Sequence, residues 1–235
     1  MNENLTIDGL EYRIRRSPRR KTIGVTIDRD GSLILHAPLD CSQDTLISFG
    51  REKSFWVHTK LAERELRFRR RRPHEYVSGE SFYYLGRNYR LLLVDPDPEN
   101  PEAPPLRLHE GRFKLARTER DRAHERFQDW YIVHGQPWIE RRVGRLTNRV
   151  GASPEAVIVK DLGYRWGSCG SNGAIYIHWC TLCLPPVTIE YILAHELVHL
   201  LQPHHDEAFQ MRLEQILPDH RARRQWLAEE GGKYT

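Results

Sequence analysis

The sequence is sparing with cysteine, with long apolar runs and with charge of a single sign. It has four cysteines (Cys41, Cys169, Cys180 and Cys183) in 235 residues. That is too few for a disulfide-stapled scaffold and suits reduced thiols in a cytoplasm. No apolar run approaches the ~20 residues that a membrane-spanning helix requires, so a membrane is not an expected partner. The start, Met1-Asn2-Glu3-Asn4, has no basic segment leading into an apolar one, and no secretory signal is expected. The 36 basic side chains stand against 32 acidic ones and leave a net charge of +4, so only local clusters can point to a charged partner. The hydrophobic fraction is low at 39%, but aromatics at 10% argue against a disordered chain. This length can bury a real core, as one sizeable domain or two small ones.

The N-terminal third alternates in the manner of strands. Leu10, Tyr12 and Ile14 share one side of a first strand, and Ile23, Val25 and Ile27 share one side of a second. Asp28-Arg29-Asp30-Gly31 supplies a turn, and Leu33 and Leu35 begin a returning strand that Pro38 ends. The pattern predicts a small antiparallel meander. Residues 42–69 suit a helix capped by Ser42, with a stripe of Leu46, Phe49, Phe55, Trp56, Leu61 and Leu66 that is imperfect around Gly50. Two runs are strongly basic, residues 13–21 and 64–72. A solvated strand and a helix C-terminus explain them; phosphate contacts are the functional alternative.

Strands resume over residues 76–86 and 89–94. A stiff loop follows over residues 95–105, with prolines at 96, 98, 101, 104 and 105. Leu106-Arg107-Leu108 and Phe113-Lys114-Leu115 flank Glu110-Gly111 and can close a hairpin. No internal repeat stands out. Thr118 can cap a helix through Phe127, Trp130 and Tyr131 towards Val143 and Leu146, and Pro137 is expected to end it, kink it or begin a second helix. Ala156-Val157-Ile158-Val159 and Ala174-Ile175-Tyr176-Ile177-His178-Trp179 read as strands around a Ser171-Asn172-Gly173 turn. Pro185 and Pro186 break the chain before a helix opened by Thr188-Ile189-Glu190.

That helix carries Ala194-His195-Glu196-Leu197-Val198-His199-Leu200. Two histidines four apart lie on one helical face, and the glutamate between them can reach a water on an ion they share. With 12 histidines in the chain, chance alone could assemble the pattern, so its surroundings must decide. Pro203 should end the helix and let the chain turn back. Either His204 or His205 could then complete a three-histidine zinc site with the fourth position open. Cys180-Thr181-Leu182-Cys183 has the spacing of half a zinc or redox pair, but no second pair completes it. Buried thiols are the expected reading.

Arg165-Trp166-Gly167-Ser168-Cys169, a strand ending at Trp179, His195-Glu196-Leu197-Val198-His199, and His205 with Ala208-Phe209 together resemble the YgjP-type metallopeptidases, relatives of the SprT-like zincins. Ser17-Pro18-Arg19-Arg20, Gly31, Ala37-Pro38, and Gly79-Glu80-Ser81 through Tyr84-Leu85-Gly86 resemble the N-terminal part of that family. The resemblance therefore spans nearly the whole chain. It implies a third histidine six residues beyond the second, which selects His205 over His204. It also implies an α+β fold, with an N-terminal antiparallel β region packed on a helical, zincin-like core. The division expected is residues 1–115 and 116–235, or one continuous domain. Two features depart from the family pattern: a long proline-rich loop, and His178 where asparagine is usual.

The expected activity is zinc-dependent peptide hydrolysis in a cytoplasm. His195, His199 and His205 hold the ion, and Glu196 passes a proton from water to the leaving amine. Tyr164, Arg165 and His178 are candidate oxyanion stabilisers, and strand 174–179 is the candidate cleft edge for an extended peptide. Two alternatives remain open. The basic runs could direct the protease to nucleic-acid-bound proteins, or the site could serve a non-catalytic metal-binding module, for which Glu196 would have no use.

Overall fold

The computed structural model describes residues 3–27, 32–67, 74–95, 103–163 and 165–234, with backbone alone for residues 55, 56 and 58–67. The chain is α+β and divides into two compact units, Met1–Arg71 and Arg72–Thr235.

The first unit comprises β1 (Glu3–Ile7), β2 (Leu10–Arg16), β3 (Gly24–Ile27), β4 (Leu33–Ala37) and α1 (Gln43–Arg67). The sheet order is β1-β2-β4-β3, with antiparallel outer pairs and a parallel β2·β4 pair at the centre. The expected antiparallel meander is thus a mixed sheet. The connection over residues 17–23 is too long for a tight hairpin, so β3 lands one strand further out and β4 fills the gap. Tyr12, Ile14, Leu33 and Leu35 turn inward onto Leu46 and Val57 of α1. Ser42 caps α1 as predicted, its Oγ accepting from the Thr45 N–H at 3.2 Å. The interruption at Gly50 also has a cause: a Cβ there would stand 2.4 Å from Ile7 Cδ1, so glycine permits close helix–sheet packing. The turn 28–31 lies outside the described residues, as do the side chains of Phe55, Trp56, Leu61 and Leu66.

The second unit opens with β5 (Ser81–Tyr84), β6 (Arg87–Val94), β7 (Leu106–His109) and β8 (Arg112–Ala116), in the order β5-β6-β8-β7. Its central pair, β6·β8, is again parallel. Both units therefore begin with the same four-stranded topology followed by a long helix, a repeat that the side chains do not display. A 3-10 turn over Arg117–Arg122 leads into α2 (Ala123–Val150). Thr118 falls in that turn, and α2 starts without a side-chain cap. The sheet packs Phe82 and Phe113 on Phe127 and Trp130 of α2. For this reason the compact units part at 71/72, where the sequence division stood at 115/116.

Helix α2 runs unbroken through Pro137. The carbonyl that proline leaves without a helical donor belongs to Val133, whose side chain is 66% exposed, so water can serve it. On the opposite face a Cβ at Gly135 would meet Leu182 Cδ1 at 1.9 Å, so glycine is needed for the contact. Beside α2 lies a three-stranded sheet of β9 (Val157–Lys160), β10 (Gly167–Cys169) and β11 (Ile175–His178), in the order β10-β11-β9. Gln136 of α2 holds β9 by its amide, donating to Val157 O at 2.6 Å and accepting from Val159 N at 2.8 Å. Three helices complete the unit: α3 (Pro186–Val198), α4 (Glu207–Ile216) and α5 (His220–Glu230). Arg223 ties α5 to α3 through Glu190 and the Val187 carbonyl, both at 2.9 Å. No described helix is long and apolar enough to cross a membrane.

Candidate metal centre

Pro186 stands at the first position of α3, where its missing N–H has no helical partner to lose. Near the other end, His195 and His199 lie one turn apart, with ring centroids at 4.9 Å. The His199 Nδ1 lies 3.0 Å from the Gln202 carbonyl. A carbonyl only accepts, so Nδ1 carries the hydrogen and Nε2 presents a lone pair. The chain then turns through Pro203 and returns with His205. Asp206 caps α4 by accepting from the Phe209 N–H at 3.0 Å. The Phe209 ring forms the floor, its centroid 4.7 to 4.9 Å from those of all three imidazoles.

The His205 Nε2 lies 3.0 Å from the His195 Nε2 and 3.1 Å from the His199 Nε2. Three ring nitrogens thus converge on one point. They form the one cluster of three possible metal-binding side chains among the described residues. His204 is exposed and outside it. Cys180 and Cys183 are buried thiols outside any disulfide, as expected, and Cys169 is a partly exposed one.

Burial, reinforced by the other two histidines and Arg224, pushes the His195 pKa down to about 3. Burial also lowers that of His199. Both rings are therefore neutral, as ligands must be. Burial acts oppositely on Glu196 and raises it to about 7, while the Cys169 main-chain N–H and the Arg165 charge pull it down.

The histidines and Glu196 line a cleft of about 800 Å³ whose other wall is β10. The strand expected at the cleft edge, β11, is the middle strand, and β10 is the edge. Trp166 O accepts from His178 N at 2.9 Å, and Gly170 N donates to Ala174 O at 2.8 Å. Alternation along an antiparallel ladder then turns the main-chain groups of Gly167 and Cys169 away from β11. Glu196 accepts from the Cys169 N–H on that free side.

The oxyanion candidates separate. His178 is 2% exposed, its Nδ1 accepting from Cys180 N at 3.0 Å and its Nε2 lying 3.4 Å from Asp161 Oδ1, so it braces the 3-10 turn Trp179–Cys183. Arg165 donates to Ser168 Oγ at 3.2 Å and lends charge to Glu196. Tyr164 lies outside the described residues. Within the basic run 13–21, Arg16 is engaged structurally, pairing with Glu3 at 2.9 Å and donating to Cys41 O at 2.6 Å. The side chains of residues 64–72 are not among those described. A nucleic-acid partner gains no support.

Two histidines one helical turn apart, a glutamate between them and a third histidine returning from the next turn form the arrangement of a metallopeptidase centre. The chain belongs to the YgjP-like family, whose metallopeptidase domain matches residues 21–230. Among solved structures it is similar to the metallopeptidase zymogen of Pyrococcus abyssi, abylysin. Identity is 22%, over 40% of this chain and 95% of that one, with a TM-score of 0.36, too slight a likeness to carry argument. Nothing among curated proteins matches the chain.

Proposed function

We propose that this metallopeptidase is a zinc enzyme in which His195, His199 and His205 hold the ion and Glu196 is the general base. The convergence of the three Nε2 atoms at the mouth of the cleft is the observation that carries the reading. Their 3.0 and 3.1 Å separations approach the ~3.3–3.4 Å edge of a tetrahedron with metal–nitrogen bonds of ~2.0–2.1 Å. Three imidazoles with an open cleft beyond them are a catalytic zinc donor set. Zinc in such a site supplies a Lewis acid that polarises a carbonyl and acidifies a bound water.

Glu196 does the proton work. Burial lifts its carboxyl to about 7, the range in which one group can both accept and release a proton near neutral pH. It takes a proton from the attacking water and gives it to the leaving amine. Cys169 N–H and the bare Gly167 fix its position. An extended peptide pairs with the outward main-chain groups of β10, which gives affinity with little demand on side chains.

Metal analysis together with proteolysis by the wild type and Glu196→Gln tests the proposal. Both proteins should carry about one zinc, and only the wild type should cut unfolded protein substrates. Absence of zinc from both, or equal cleavage by both, defeats the reading.

A further inference from the structure

Behind the metal centre, on the side of α4 and α5, lies a second cavity of about 400 Å³. Its walls include His195 and His205 together with Tyr191, Gln210, His220 and Arg224. Two buried nitrogens in this region have no hydrogen-bond partner among the described residues, His195 Nδ1 and His220 Nε2. Unpaired buried polar atoms are costly, and two on one cavity call for an explanation.

Their hydrogen-bonding roles are complementary. If His195 binds metal through Nε2, its Nδ1 carries a hydrogen and needs an acceptor. His199 has one in the Gln202 carbonyl, and His205 is exposed to solvent, so His195 is the ligand left without support. His220 is 1% exposed, and its Nδ1 lies 3.1 Å from the Leu217 carbonyl. That Nδ1 must donate, and in this tautomer Nε2 carries the lone pair. A donor and an acceptor therefore belong to side chains that line one cavity, which is large enough for several waters at ~30 Å³ each.

We propose that an ordered water in this rear cavity accepts from His195 Nδ1–H and donates to His220 Nε2, making His220 a positioning residue for the metal ligand. The inference rests on the reading of His195 as a ligand. The water fixes the tautomer and the plane of the ring from behind, as the Gln202 carbonyl does for His199. His220 touches neither substrate nor ion, so its contribution falls on zinc affinity.

The test is zinc affinity of the full chain, measured by competition with a chromophoric chelator for the wild type, His220→Phe and His220→Gln. His220→Phe keeps an aromatic ring in place but removes both ring nitrogens, the acceptor included, and zinc should bind ~10–100-fold more weakly. His220→Gln offers an amide oxygen to the same water and should recover most of the loss, a rescue that mere filling of space does not predict. Equal affinity in the wild type and His220→Phe overturns the inference while leaving the metal reading intact. A wild type that binds no zinc removes both. Should the variants fail to fold, nitrogen-resolved NMR of the zinc-loaded wild type decides. An exchange-protected His195 Nδ1 proton with a cross-peak to bound water supports the bridge, and its absence overturns it.

Discussion

A Cβ built on Gly167 would stand 2.8 Å from Cγ and 2.9 Å from Oε1 of Glu196. Glu196 and the edge strand of the cleft thus meet where no other residue fits. Glu196 is held there by the Cys169 N–H two residues along the same strand. Gly167→Ala therefore moves the carboxylate without touching a histidine. A displacement near 1 Å costs on the order of 100-fold, so kcat/KM should fall about that far while zinc affinity stays within ~3-fold. Peptidase assays paired with zinc titration check this; unchanged turnover would show that the carboxylate tolerates displacement.

Burial gives Glu196 a distinctive pH signature in the metal-free protein. Its carboxyl sits at about 7 when folded against an ordinary 4.5. Between those values the unfolded chain has released the proton and the folded chain keeps it, so stability falls as pH rises. Glu196→Gln lacks this response. The wild type should lose up to about 1.4 kcal/mol per pH unit relative to the variant between pH 4.5 and 7. His195 acts oppositely in both proteins. With its value at about 3 against 6.5, it supplies stability present above 6.5 and lost as pH falls towards 3. Urea unfolding at several pH values, with chelator present, reads the difference directly. Parallel curves would mean that Glu196 is not buried as described.

The proposed third ligand gives the clearest contrast between neighbours. His205 Nε2 lies 3.0 Å from that of His195, while the adjacent His204 stays outside the cluster. His205→Ala should weaken zinc binding beyond the ~10–100-fold that loss of a supporting partner costs, and His204→Ala should leave it unchanged. Chelator competition separates the two. A larger loss from His204→Ala would reassign the site.

The legible parts of the site were those set by local geometry. His195 and His199 had to share a helical face at a spacing of four, and Glu196 had to lie beside them. Choosing His205 over His204 needed the family resemblance, because nothing in the residues says how tightly the chain turns after Pro203. Nothing in the residues themselves assigns a role to Gly167 or Cys169, since one works by lacking a Cβ and the other through its main-chain N–H. The cleft edge was misplaced on β11 for a related reason. Strand order depends on long-range pairing, and alternation along one strand does not reveal which neighbour flanks it. The insertion of β4 between β2 and β3, and the recurrence of that pattern in β5–β8, were hidden in the same way.

With β10 as the edge, substrate binding should depend on the peptide's main chain more than on its side chains. The β10·β11 register turns the Gly167 and Cys169 backbone groups outward, and the Cys169 N–H is already occupied by Glu196. Gly167 then offers a free N–H and C=O on the cleft side. A peptide lying along β10 donates one amide N–H to the Gly167 carbonyl, and methylating that nitrogen deletes the bond and adds bulk at the strand's edge. A scan of singly N-methylated versions of one good substrate should show a position where kcat/KM falls ~10-fold or more, about 1.4 kcal/mol, the scale of one hydrogen bond with its buried partner left unmet. The flanking positions should respond far less, and zinc content should not change. A scan in which no position outside the scissile bond responds would remove β10 as the docking strand and leave recognition to side-chain contacts in the cleft.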